Sequence, residues 1–440
     1  MSSKQIGVVF YMHEKEKFAS REVYFSLYTE EMFLILIIGF AMEDIMLDQA
    51  KKNSKIERFF VFLTCYYAFF VNGMMVLMVG TILPYLIEEA NLSFSIAGGL
   101  LSAFAIGNLL ASFVNPPIIA KFGRKRTIIV LSSLIPICLI IIMGIPSIPV
   151  LYLSFVFLGI GRGSVSIFNN TVVNERAEGK SSMLNILHMA FAIGAFLAPF
   201  LSSLYISHQL TWKHLGYTVV GLFVLTILLL CFIPIPLDEG RSKGMKKEQT
   251  NTNRSYIKSK DFYVIGLILF FYLGLENCVN GWFITYFKKS GIMSDKLATN
   301  LVSYTWLAVM IGRLVTAFLS TKVKKKTLIL INCILTTGFL GLLISTTNIN
   351  IIVFSIILLG FFFAGIYPTC IANAGSIIKG SPSGMSMLLA IAALGGIIAP
   401  QIVGIVADAI GLGGAIGVLL FSNVFMVLFA VINFRRNVIE

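Results

Sequence analysis

Glu276 is the only carboxylate set deep within any of the long apolar runs of this chain. An ionised side chain at the centre of a membrane helix costs about 2.5–3.5 kcal/mol, so each such residue needs a task. Burial disfavours the charged form of a carboxylate, which makes Glu276 a candidate proton-coupling group. The alternative is a fixed partner for Arg162. Arg162 stands between Gly161 and Gly163 at the middle of another apolar run. Its small neighbours allow close helix packing and leave the guanidinium room to offer its fork of donors to ligand oxygens or to Glu276. Asn185 and His188 are three residues apart and so share a helix face. An amide and a neutral imidazole supply the paired donors and acceptors that a hydroxyl-rich ligand needs, with interhelical hydrogen bonding as the alternative. Asn72, Asn169, Asn170 and Gln401 are candidates of the same kind, with packing as their other reading. Trp306 could stack on a pyranose ring. Trp282, near the end of its run, is expected in the aromatic belt at the membrane edge. Arg313 is expected near a helix end as a gate or anchor.

Other chemistries find no support. The four histidines, His13, His188, His208 and His214, are too scattered for a metal site. The six cysteines (65, 138, 231, 278, 333 and 370) fall inside apolar runs without metal-type spacing and read as buried thiols. Gly159-Ile-Gly161-Arg-Gly163 lacks the strand–turn–helix setting of a nucleotide cradle. No Walker sequence and no nucleophile–base constellation is present, so neither an enzyme nor a cofactor is expected.

The elements that must carry these residues are membrane helices. At 57% hydrophobic and 12% charged residues, the chain is too apolar for a soluble globular protein. Runs long enough to cross hydrocarbon are expected at 59–86, 94–119, 127–145, 148–172, 182–206, 214–234, 262–286, 297–320, 327–345, 349–374, 383–407 and 411–433. A net charge of +13 raises nucleic acid as a partner, but the basic residues gather in alternate loops, at 51–58, 121–126, 241–260, 322–326 and 435–436. Lys288 and Lys289 are an exception. This positive-inside pattern predicts cytoplasmic termini and a multi-pass protein of the plasma membrane, with lipid and not nucleic acid around it.

The chain also repeats itself. Gly179/Gly380, Ser182/Ser383, Leu187/Leu388, Ala192/Ala393, Gly194/Gly395, Ala198/Ala399 and Pro199/Pro400 write one element twice. Arg124-Lys125-Arg126-Thr127 is echoed by Lys324-Lys325-Lys326-Thr327. The expected fold is therefore all-α, with twelve transmembrane helices in two pseudo-symmetric six-helix bundles, 58–234 and 262–440, joined by a cytoplasmic linker at 235–261. Gly, Ala, Ser, Leu and Pro are common to both copies, whereas Asn185 and His188 correspond to Ser386 and Leu389. Residues 1–57 read as a cytoplasmic extension. The run 33–42 is too short to span, and Met46 is the favoured start of translation.

Gly123-Arg124-Lys125 between the second and third spans resembles the end of the cytoplasmic motif of the major facilitator superfamily, over essentially all of 58–436. Ala120 stands where that family usually has Asp, and Pro116 where it usually has Gly, while Arg124 and Lys125 keep the basic gating cluster. Within the superfamily the chain is most similar to fucose-permease-type sugar transporters. The similarity rests on Gly159–Gly163 with Asn169-Asn170, on Asn185 to Gly194, and on Glu276 before Gly281-Trp282. Ser303-Tyr304-Thr-Trp306 leading to Gly312-Arg313, and Tyr367-Pro368, complete it. The membrane carboxylates that the fucose symporter carries in spans 1 and 4 are not present. The resemblance implies proton-coupled uptake of a sugar or similar small polar solute by alternating access, around a site between spans 1, 4, 5, 7, 8, 10 and 11. Proton-driven efflux of drugs or other small organic molecules, and a transport-dead membrane sensor, remain as alternatives. Since one chain holds a complete pathway, it is expected to work as a monomer.

Overall fold

Long apolar runs have one way to satisfy their backbone in lipid without a partner strand, and they take it here as helices. The computed structural model describes residues 54–177, 181–233, 254–378 and 381–436. Residues 1–53 of the expected extension at 1–57, and most of the linker, lie outside the described residues.

Among the described residues, six helices come first: α1 (Ser54–Glu89), α2 (Phe94–Phe122), α3 (Arg124–Met143), α4 (Ile148–Arg176), α5 (Ser181–Ser207) and α6 (Lys213–Phe232). After a 3-10 turn at Arg254–Lys258 come α7 (Lys260–Ser290), α8 (Asp295–Leu319), α9 (Lys325–Ile344), α10 (Ile349–Phe363), α11 (Ile366–Ile378) and α12 (Pro382–Arg435). The 3-10 turn falls inside the expected linker, yet its Tyr256 is buried and donates to Ser383 Oγ at 3.2 Å.

Eleven helical stretches among the described residues are long and apolar enough to cross a membrane. The difference from the expected twelve lies in α12, which runs for 54 residues. A straight helix of that length would reach about 80 Å, against a hydrocarbon thickness of about 30 Å. Gly411 interrupts it at φ 82°, ψ 164°, where the expected run 411–433 begins after 383–407. Gly123 has the same backbone, φ 81° and ψ 162°, and turns α2 into α3 by itself. A side chain is strained at such a positive φ, which is why both hinges are glycine. The expected span 349–374 is divided into α10 and α11 at Ala364–Gly365. Pro368 has no N–H to give the carbonyl four residues earlier, and the ladder opens at that point.

In the first six helices α2 packs on α4, α1 on α5, and α3 on α4 and α6. In the last six α7 lies along α12, α8 on α10, and α9 on α10 and α12. The duplicated element does the same work in both. A Cβ on Gly194 would run into the Phe70 carbonyl of α1, and one on Gly395 into the Phe270 carbonyl of α7. These are backbone-to-backbone contacts that only glycine permits.

The main contacts between the two sets of helices are α12 with α2, α5 with α8, and α1 with α7. Their hydrogen bonds gather toward the end opposite the basic loops. The Asp408 carboxylate accepts from the Phe94 and Ser95 N–H groups, each at 2.8 Å, at the first turn of α2. Gln401 Nε2 donates to the Ser95 carbonyl (3.2 Å) and Ser102 Oγ to the Ile397 carbonyl (2.6 Å). Nearer the middle, Ser303 Oγ donates to the Phe196 carbonyl at 2.9 Å. Lys288 Nζ donates to the Tyr85 hydroxyl and pairs with Asp295 at 3.5 Å, while Lys289 pairs with Glu88 at 2.9 Å. The exceptional lysines of the charge pattern are thus neutralised within the contact.

Trp282 corrects an expectation. It is fully buried, its Nε1 donates to the Pro400 carbonyl at 3.1 Å, and its ring meets Phe94 edge-on at 6.2 Å. It belongs to this seal between the halves and not to a lipid-facing belt. At the basic end, Arg124 pairs with Glu175 (2.7 Å) and Arg176 with Glu57 (3.5 Å). Lys125 follows Arg124 in the first turn of α3.

Candidate functional site

Below the seal, between the two sets of helices, lies a cavity of about 270 Å³. Five of the residues singled out from the sequence meet on its wall: Arg162 from α4, His188 from α5, Glu276 from α7, and Trp306 and Arg313 from α8. Each is near the middle of a long helix or within a few turns of it, so the cavity is surrounded by helix interiors and its polarity is supplied by side chains.

Tyr272 lies one helical turn before Glu276 on α7 and is fully buried. The Tyr272 ring packs against Phe363 and Tyr367, at 5.7 and 6.0 Å, where α10 gives way to α11. The guanidinium groups of Arg313 and Arg162 share the cavity wall with Glu276. Arg162 lays its guanidinium toward the Phe104 ring at 6.0 Å, and its Nε is buried without a hydrogen-bond partner. Arg313 is 5.9 Å from the Trp306 ring centroid. Its expected role as a gate or anchor at the membrane edge gives way to a place on the cavity wall.

Trp306 is fixed from two sides. Its Nε1 donates to Asn280 Oδ1 at 3.0 Å, and Phe191 meets its ring edge-on at 5.9 Å. The indole is 2% exposed, so a ligand meets one margin of it and not an open face. His188 packs edge-on against Phe69 at 5.5 Å.

The other candidates lie elsewhere. Asn185 is exposed and away from the cavity wall, one turn from His188. Asn72 is fully buried in α1, with both its amide atoms unpartnered. Asn169 and Asn170 each donate to the carbonyl four residues earlier in α4, at 2.7 and 2.9 Å. Gln401 is a seal residue. The wall also includes α2, through Leu101, Phe104 and Asn108, which the expected set of lining spans omitted; span 10 lies behind Tyr272.

Sequence reasoning missed Asn108, Asn277 and Asn280 on the wall. Asn277 is tied by its Nδ2 to the Gly396 carbonyl at 2.9 Å, which leaves its oxygen as an acceptor. Asn280 uses its oxygen on Trp306 and keeps two N–H donors. The signal for Asn280 was present: it follows Glu276 by four residues and so shares its helix face.

A family model described as Major Facilitator Superfamily matches residues 65–400. The cis,cis-muconate transport protein of Acinetobacter baylyi is 25% identical over 382 residues, covering 81% of this chain and 88% of that protein. The glucose/mannose transporter GlcP of Bacillus subtilis is 23% identical over 353 residues, covering 77% of this chain and 86% of that one. Among solved structures, the nucleoside transporter NupG superposes with a TM-score of 0.70 at 14% identity. The superposition covers 87% of this chain and 100% of NupG, a likeness of fold.

Proposed function

This chain belongs to the Major Facilitator Superfamily, and we propose that within it the chain takes up a sugar or similarly small polar solute together with a proton. The observation that carries the reading is the cavity between the two sets of helices, lined by Glu276, amides and Trp306, and sealed at one end. The two bundles, 58–234 and 262–440, rock about this site. Basic loops lie in the cytoplasm with both termini, so the sealed end faces outward in a plasma-membrane transporter whose present state is directed inward. Glu276 takes a proton from one side and releases it to the other as the bundles exchange access. Relatives named for glucose and mannose and for muconate support a small polar cargo.

The test is uptake of labelled hexoses into proteoliposomes under an imposed pH gradient, with a dye-efflux assay alongside. Glu276→Gln should abolish stimulation by the gradient, with at least about a tenfold fall in driven uptake, while exchange of preloaded solute persists. Fully gradient-driven uptake by this variant would remove the assignment. Dye extrusion without hexose uptake would favour export.

A further inference from the structure

We propose that the solute is an anion, a hydroxylated carboxylate of monosaccharide size, and that Arg162 receives its carboxylate. This rests on the uptake reading above and narrows its substrate class. The observation is a charge imbalance inside the cavity. The permanently ionised side chains on its wall are Arg162 and Arg313, and they face the single carboxylate of Glu276. With Glu276 ionised the wall carries one positive charge in excess, and with Glu276 protonated it carries two. His188 can only add to this excess.

The two guanidinium groups are not equivalent. Arg313 stacks over Trp306, 5.9 Å from its ring centroid. Arg162 has a buried Nε without an acceptor. A buried donor on a cation that lacks an acceptor is costly, and more so than on a neutral group. A hydroxyl of a neutral sugar could accept one bond from Arg162 but would leave the charge uncompensated in a low-dielectric chamber. A carboxylate meets both needs at once, through two parallel bonds to the planar fork. The free N–H groups of Asn280, the Asn277 oxygen and the margin of Trp306 are left for the hydroxylated remainder of the solute. Protonation of Glu276 then releases Arg313 from its intramolecular counter-charge as the anion arrives, so proton and anion enter together without net charge.

The test compares matched pairs differing by the carboxylate: D-galacturonate with D-galactose, D-glucuronate with D-glucose, and D-gluconate with D-glucitol. Binding to the purified wild-type protein in detergent is measured by titration calorimetry, and uptake in proteoliposomes. At least one acid should bind at least about tenfold more tightly than its neutral partner. Arg162→Gln should bring that ratio to within about twofold, and Arg162→Lys should restore part of it. The wild-type comparison decides even if the glutamine variant fails to fold. Equal or tighter binding of the neutral partner in every pair overturns the proposal and leaves sugar uptake standing. Neither acids nor neutral sugars binding overturns both.

Discussion

The seal and the chamber beneath it are built from opposite materials. In the seal, backbone meets backbone: a Cβ on Gly98 would collide with the Pro400 carbonyl, and one on Gly404 with the Phe94 carbonyl. Its polar groups are answered across the contact, Asp408 by two N–H groups and Gln401 by the Ser95 carbonyl. The chamber is made of side chains, and some of its polar capacity is unanswered, as at Arg162 Nε. A surface that must close repeatedly on itself needs full self-complementarity. A surface that must close on a visitor needs deliberate vacancies. The division teaches where each property of the molecule is encoded: conformation in the glycines and caps, cargo in the charges and amides.

The sharpest way to break the comparison is to put a side chain where backbone belongs. Gly98→Val should prevent the seal from closing, because the Pro400 carbonyl cannot retreat without moving α12. Transport should fall by about tenfold or more, and a thiol placed at Leu101→Cys should react far faster with a membrane-impermeant reagent from the sealed side. The native cysteines, all of them buried, give a quiet background. Unchanged labelling would show that the close approach is not what holds the end shut. A smaller effect is expected from Asp408→Asn. The amide keeps one acceptor for the α2 N-terminus but loses the charge, which typically costs about 1 kcal/mol at such a cap. Labelling at the same thiol should rise by about fivefold, with solute affinity in the sealed state unaltered. The smallest is Asn185→Ala, which lies outside both regions. Uptake should stay within about twofold of wild type, as for other exposed substitutions away from special features. A large loss there would extend the chamber toward the basic end, around the turn below His188.

Much of this division could be read from the chain, because membrane spans and intramembrane charges announce themselves. Hydrocarbon demands long apolar runs, and Glu276 and Arg162 stand out inside them. The duplicated element pointed correctly to shared packing, since Gly194 and Gly395 press on matching carbonyls of α1 and α7. What escaped the sequence depends on partners far along the chain. Trp282 looks like any aromatic near a membrane edge until Pro400 and Phe94 are brought against it. Arg313 has the same local setting whether it snorkels or turns inward, and only Trp306 and Glu276 across its path distinguish the two. Asn185 and His188 share a face by spacing, yet a cavity wall ends between them because the edge is set by neighbouring helices. The division of α10 from α11 escapes the sequence reading, which expects one span over 349–374, although the missing donor of Pro368 acts locally.

The main-chain character of the seal bears on how such a protein can change over generations. Carbonyls and amide groups are the same in every residue, and a closure written in them is indifferent to most substitutions that spare its glycines. The chamber has no such protection: on the proposed reading, replacing Arg162 or Asn280 would alter what is recognised while leaving the moving surfaces as they were. On that reading, a lineage carrying this architecture would exchange one solute for another in few mutational steps, without having to reinvent the motion that carries it.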